Sequence, residues 1–98
     1  MGPKNLGLKG AYLARREVLL KEWDVQLQQL EGQSRPGSTQ VQYDRQLASL
    51  RTKHTLVRAR LLELTQAAGD DWETVKIGLE TAWNDLNGGL TTTVAKYQ

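Results

Sequence analysis

Three apolar columns run through the stretch from Trp72 to Tyr97 at a spacing of eleven residues. Trp72, Trp83 and Val94 form one column, Val75, Leu86 and Tyr97 a second, and Leu79 and Leu90 a third. Eleven residues over three turns correspond to about 3.67 residues per turn, close to the relaxed α-helix. The columns therefore fall on one nearly straight stripe, and the segment is read as a single amphipathic helix. A strand would need a period of two, which this stretch lacks.

The same logic works backwards along the chain. Tyr43, Leu47, Leu50, His54, Val57, Leu61, Leu64 and Ala68 alternate spacings of four and three, which is a coiled-coil seam. Before it, Leu13, Leu20, Trp23, Leu27 and Leu30 keep a related stripe, with Arg16 in the position where an apolar residue is missing. Between the two stripes lies Gly32–Thr39, GQSRPGST, the strongest breaker in the sequence. Its Pro36–Gly37 pair marks a turn, and Ser38 or Thr39 is placed to cap the helix that follows. So short a connection predicts an antiparallel hairpin. Residues 1–10 hold three Gly and one Pro and are read as a flexible leader.

Charge supports the pairing. Residues 1–38 carry a net charge of +2, residues 39–68 carry +3, and residues 69–98 carry −3. Glu17, Asp24 and Glu31 recur every seven residues along one edge of the first stripe. Arg45, Lys53 and Arg60 flank one edge of the second stripe, and Arg51 and Arg58 flank the other. A fold at Pro36 brings residue 24 near 47 and residue 17 near 54, so acid meets base across the seam. Exposed pairs of this kind are worth only about 0.2–1 kcal/mol each, so they select register more than they stabilise.

Ala68–Glu73 supports two readings. Asp70 and Glu73 have capping-box spacing, and Gly69 is a natural helix stop. The apolar stripe nevertheless passes through in phase, as a kinked continuous helix would require. The two coincident end signals favour a break. The expected fold is all-α: helices near 10–31, 39–68 and 70–96 within one domain spanning 11–98. The first two form a coiled-coil-like antiparallel hairpin, and the third either folds back as a three-helix arrangement or extends as a kinked continuation.

Little in the chain points to catalysis. Cysteine is absent, so there is no disulfide framework or thiolate metal site. His54, the one histidine, occupies a seam position with no Asp, Glu or Cys in its heptad neighbourhood, and reads as a polar residue that sets register. Gly78, Gly88 and Gly89 follow no strand and precede no Gly-Lys-Ser/Thr, so they form no phosphate loop. The Asp and Glu residues make no carboxylate pair with an obvious cleft. No catalytic residue, cofactor site or metal site is assigned. The basic run Arg51–Arg60 admits a nucleic-acid reading, but its charges flank an apolar seam and do not cover an open face. Trp72 and Trp83 admit a peripheral membrane reading, yet Glu73, Glu80 and Asp85 outnumber Lys76 on that segment. No run approaches the ~20 apolar residues of a membrane span, and the expected compartment is the cytoplasm.

Gly69, Asp70, Trp72, Glu73, Lys76, Gly78, Glu80, Ala82, Trp83, Asp85 and Leu86 match the pattern G-D-x-W-E-x-x-K-x-G-x-E-x-A-W-x-D-L, and Lys21-Glu22-Trp23-Asp24 is a second, shorter point of likeness. In this the chain resembles a family of short bacterial coiled-coil proteins associated with stress responses, over roughly residues 21–98. It departs from the family at Ser34–Ser38, where Ala, Lys and Glu are usual. The resemblance implies a bacterial source, a helical fold and a link to stress, and supplies no catalytic residue.

The expected function is that of a non-enzymatic helical interaction protein that self-associates. Trp72, Val75, Leu79, Trp83, Leu86 and Leu90 are the expected interaction surface, because a chain this short has few other elements to cover so long a strip. A homodimer is the expected assembly. An unidentified protein partner or a membrane surface is the alternative, ahead of nucleic acid.

Overall fold

The computed structural model describes the backbone of residues 2–33 and 37–97, with side chains throughout except at 2–8 and 38. The chain is all-α. Helix α1 spans Gly2–Glu31, α2 spans Gly37–Gln66 and α3 spans Trp72–Tyr97, with a single 3₁₀ turn at Gly69–Asp71 leading into α3. The helices run up, down and up in a rod of 58 × 19 × 18 Å.

The α2 seam is the axis of the rod. Tyr43, Leu47, Leu50, His54, Val57, Leu61 and Leu64 are all buried. On one side α2 meets α1 in antiparallel sense: the Tyr43 hydroxyl donates to the Leu30 carbonyl at 2.6 Å, and His54 Nε2 lies 3.3 Å from the Leu20 carbonyl oxygen. On the other side α2 meets α3, again antiparallel. Gln46 donates to Thr93 Oγ1 at 2.8 Å, and Lys53 reaches Asp85 at 3.4 Å. Of the two topologies left open by the sequence, the chain adopts the three-helix one. Leu64 closes the α2 end of the core and Trp72 opens α3 as part of it.

Several boundaries differ from the sequence reading, each for a local reason. The leader expected over residues 1–10 is helical from Gly2 onward. Pro3 sits in the first turn, where a missing N–H costs nothing, and extending an existing helix adds one hydrogen bond per residue fixed. Helix α2 starts at Gly37 with φ +56°, so Thr39 lies inside its first turn and not at the cap. The turn residue Pro36 itself lies outside the described residues. At the second reversal Gly69 does not use a left-handed conformation. The reversal is made by Ala68 in an extended conformation (φ −80°, ψ 168°), and the 3₁₀ turn closes when Asp71 N–H donates to the Ala68 carbonyl at 3.0 Å. Asp70 and Glu73 thus sit in and just past this turn, without the helix start at Asp70 that a capping box requires.

Among the described mid-helix glycines, only Gly89 is placed by close packing. A Cβ at Gly89 would stand 2.8 Å from Leu50 Cδ2, whereas Gly78 and Gly88 face open space. Leu50 is fully buried and has little room to yield. Gly89→Ala is therefore expected to lose about 1–2 kcal/mol, overpacking outweighing the gain in helix propensity. Gly78→Ala should gain about 0.5–1 kcal/mol from propensity alone. Urea melts of the two variants beside the parent check both signs.

Candidate functional site

The strip assigned to intermolecular contact is already in use inside the chain. Trp72 and Trp83 are each 7% exposed, Leu79 and Leu86 are fully buried, Leu90 is buried, and Val75 packs half-buried against the same core. Sequence periodicity shows that a helix face is covered, and in this chain α1 and α2 cover it. The far end, expected to need a second chain, is met by α2: Tyr97 packs edge-to-face on Tyr43 with ring centroids 4.8 Å apart. Thr93 is fully buried, accepting from Gln46 and donating to the Gly89 carbonyl at 2.8 Å.

Large rings set the spacing between α1 and α3. Tyr12 meets Trp72 edge-on at 5.7 Å, and Trp23 meets Trp83 at 4.6 Å. Among the described residues no Cα of α1 comes within 8 Å of a Cα of α3, so the two helices touch through side chains only. Cations fill in around the rings. The Arg16 guanidinium lies 4.6 Å from the Trp83 ring and 5.0 Å from Tyr12, which explains a charged residue in a seam position. Lys76 lies 5.0 Å from the Tyr12 ring and 5.6 Å from Trp72. The Tyr12 hydroxyl donates to Glu80 at 3.1 Å. Burial pushes its pKa upward, opposed by the neighbouring Arg16.

Aromatic spacing leaves α1 shallowly seated, with a furrow along each flank. The furrow between α1 and α2 has a volume of about 650 Å³. Its floor includes Leu20, Leu61 and the His54 imidazole, and its walls carry Glu17, Lys21, Asp24 and Arg58. Leu62 borders it at 59% exposure. The fold thus places two carboxylates in the same furrow as His54, which the heptad neighbourhood alone did not show. Both oxygens of Asp24 are committed, however, to Arg51 at 2.6 Å and to Gln28 at 3.0 Å. No group of three or more His, Cys, Asp or Glu disposed to hold a metal occurs among the described residues.

The second furrow, about 630 Å³, lies between the C-terminal halves of α1 and α3. Trp23, Leu30 and Leu90 line its apolar side, and Gln26, Gln29, Asn87 and Thr91 its polar side, with Val94 and Ala95 beyond. None of these residues is charged. Sequence reasoning missed this surface, although a signal was present: Leu86–Ala95 is the longest run without a charged residue in the chain, and Val25–Leu30 is another such run.

The expected acid–base matching across α1 and α2 converges on one arginine. Arg51 reaches Asp24 at 2.6 Å and Glu31 at 2.8 Å. Side chains lean toward the N-terminus of their own helix. Arg51 thus reaches the level of Leu47, the position expected opposite Asp24. Lys53 turns instead to Asp85 on α3, and Arg60 pairs within its own helix with Glu63. Of the basic run considered for nucleic acid, three cations are therefore engaged by carboxylates. No family model, curated protein or solved structure matches the chain.

Two outcomes follow from this geometry. The Arg51 hydrogen bond holds the Asp24 carboxyl below the ordinary carboxylate range. A depressed folded-state pKa gives stability that is complete above the unfolded-state value and is lost as pH falls through the folded value. Asp24→Asn should cost about 0.5–1 kcal/mol at neutral pH and low salt, since the pair is about a third exposed. The gap should narrow in high salt and close as pH falls through the depressed folded-state value, as read from urea midpoints. His54→Leu should hold or raise the urea midpoint, because it replaces a buried imidazole with one long hydrogen bond by an apolar seam residue.

Proposed function

We propose that this protein is a non-enzymatic helical interaction protein that self-associates, acting through the flanks of its first helix. The supporting observation is the asymmetry of the bundle. The α2–α3 seam is tight at Gly89, which has no room for a methyl group, and holds a furrow of only about 190 Å³, while two larger furrows among the described residues border α1. Furrows of this shape accept the side-chain ridge of another helix. Exposed aliphatic residues stand nearby on the same helix, Val18 at 58% and Val25 at 48% exposure.

The motif that carries the resemblance to stress-associated coiled-coil proteins is compatible with this reading. Its Trp72, Ala82, Trp83 and Leu86 are core residues here, so the motif specifies packing. The setting in a stress response rests on that resemblance. No helix among the described residues is long and apolar enough to cross a membrane. The tryptophans that motivated a peripheral membrane role point into the bundle, so that alternative loses its main support.

Light scattering over a hundredfold concentration range tests the proposal. The expected result is a rise from one chain to two, and a mass that stays at one chain throughout overturns it. Trp83→Ala is unsuitable as the probe, because truncating a buried Trp costs about 3–5 kcal/mol of fold stability.

A further inference from the structure

The two furrows differ in what they can accept. In a two-fold dimer the same patch serves both partners, and residues near the axis face their own copies. The walls of the α1–α2 furrow carry Glu17, Lys21, Asp24 and Arg58, which must be desolvated and matched acid to base when a copy docks there. The α1–α3 furrow has no such obstacle, since none of its lining residues is charged. Its polar groups suit a copy of themselves. The amides of Gln26, Gln29 and Asn87 each carry donors and an acceptor, and the Thr91 hydroxyl can do either, so each can pair with its counterpart. Interface cores are depleted in charge relative to the rest of a protein surface, and this face already has that composition. Val94, the exposed member of the Trp72–Trp83 column, adds an apolar contact at 36% exposure.

We infer that a second copy of this chain docks in the uncharged furrow between the C-terminal halves of α1 and α3, about a two-fold axis. This rests on the self-association proposed above and names its face. Charge on that face is the test. Gln29→Lys, at an exposed position, and Val94→Lys each place like charges on both copies at the docking surface. Leu62→Lys does the same in the other furrow, and helical circular dichroism confirms that all three variants fold. The expected result is at least a tenfold rise in the dimer dissociation constant for Gln29→Lys and Val94→Lys, with Leu62→Lys close to the parent. A dimer weakened by Leu62→Lys alone, or by none of the three, overturns the assignment of this face and leaves self-association standing. A parent that is monomeric throughout overturns both. The chain has no cysteine, so Thr91→Cys gives an independent reading. Rapid disulfide-linked dimer formation supports the docked geometry, and a rate no faster than that of Thr55→Cys in the other furrow counts against it.

Discussion

Everything in this bundle depends on one seam serving two neighbours. The seven positions from Tyr43 to Leu64, six of them apolar and one His54, are the buried seam of α2, and both α1 and α3 bury their stripes against it. Two helices can share one narrow seam only if each approaches from its own side, and that places α1 and α3 next to each other as parallel neighbours. Their mutual approach is then a consequence, and side-chain size sets how close it becomes. On the α3 side a glycine lets the backbones close up, Gly89 against Leu50. Between α1 and α3, an edge-on and a tilted pair of rings hold the helices apart. One helix is consequently locked and the other lies shallow, and the furrows are the geometric remainder.

The polar groups inside the bundle follow the same division. Tyr43 is fully buried and donates to the Leu30 carbonyl at the end of α1, and Thr93 is satisfied between Gln46 and its own helix. Both lie where the chain reverses or the helices approach closely. Burying such groups costs free energy unless they are hydrogen-bonded, so each contact ties the position of one helix to another. The ion pairs add orientation at modest strength. Arg51 grips α1 at two carboxylates one heptad apart, and Lys53, two residues on, grips α3.

Much of this was legible in the sequence, and the parts that were not share a cause. Periodicity identified three helices and the residues on their inner faces, because a buried stripe must repeat with the helix. The antiparallel hairpin and the acid–base match of α1 with α2 followed from a short connection and the arrangement of charges. Periodicity carries no information about what covers a stripe, however, and Trp72, Leu79, Trp83 and Leu86 were read as an assembly surface when α1 and α2 cover them. Arg16 looked like a gap in a seam because cation–aromatic contact depends on a ring from another helix. The end of α1 at Glu31 agrees with the expectation, whereas its start and the bounds of α2 differ because glycine and proline signals describe local preference, which an adjoining packed helix overrides at small cost.

The distribution of charge along the rod separates the determinants of folding from those of association. Every acidic side chain of the 3₁₀ turn and α3 lies between Asp70 and Asp85, and the pairs to Arg16 and Lys53 are made there, at Glu80 and Asp85. These contacts fix which helices pair and in what order, and they use up much of the charge on the inner edges. Beyond Asp85 the helix is held by shape, through Leu90, Thr93 and Tyr97 against α2. A segment held by shape can do without charge on its outer side, and from Leu86 to Ala95, ahead of Lys96, the chain carries an asparagine, threonines and a valine. Such a surface has little power to repel a wrong partner electrostatically, and specificity there has to come from furrow shape and amide pairing. That requirement is met most directly by a partner with the same groups at the same spacing.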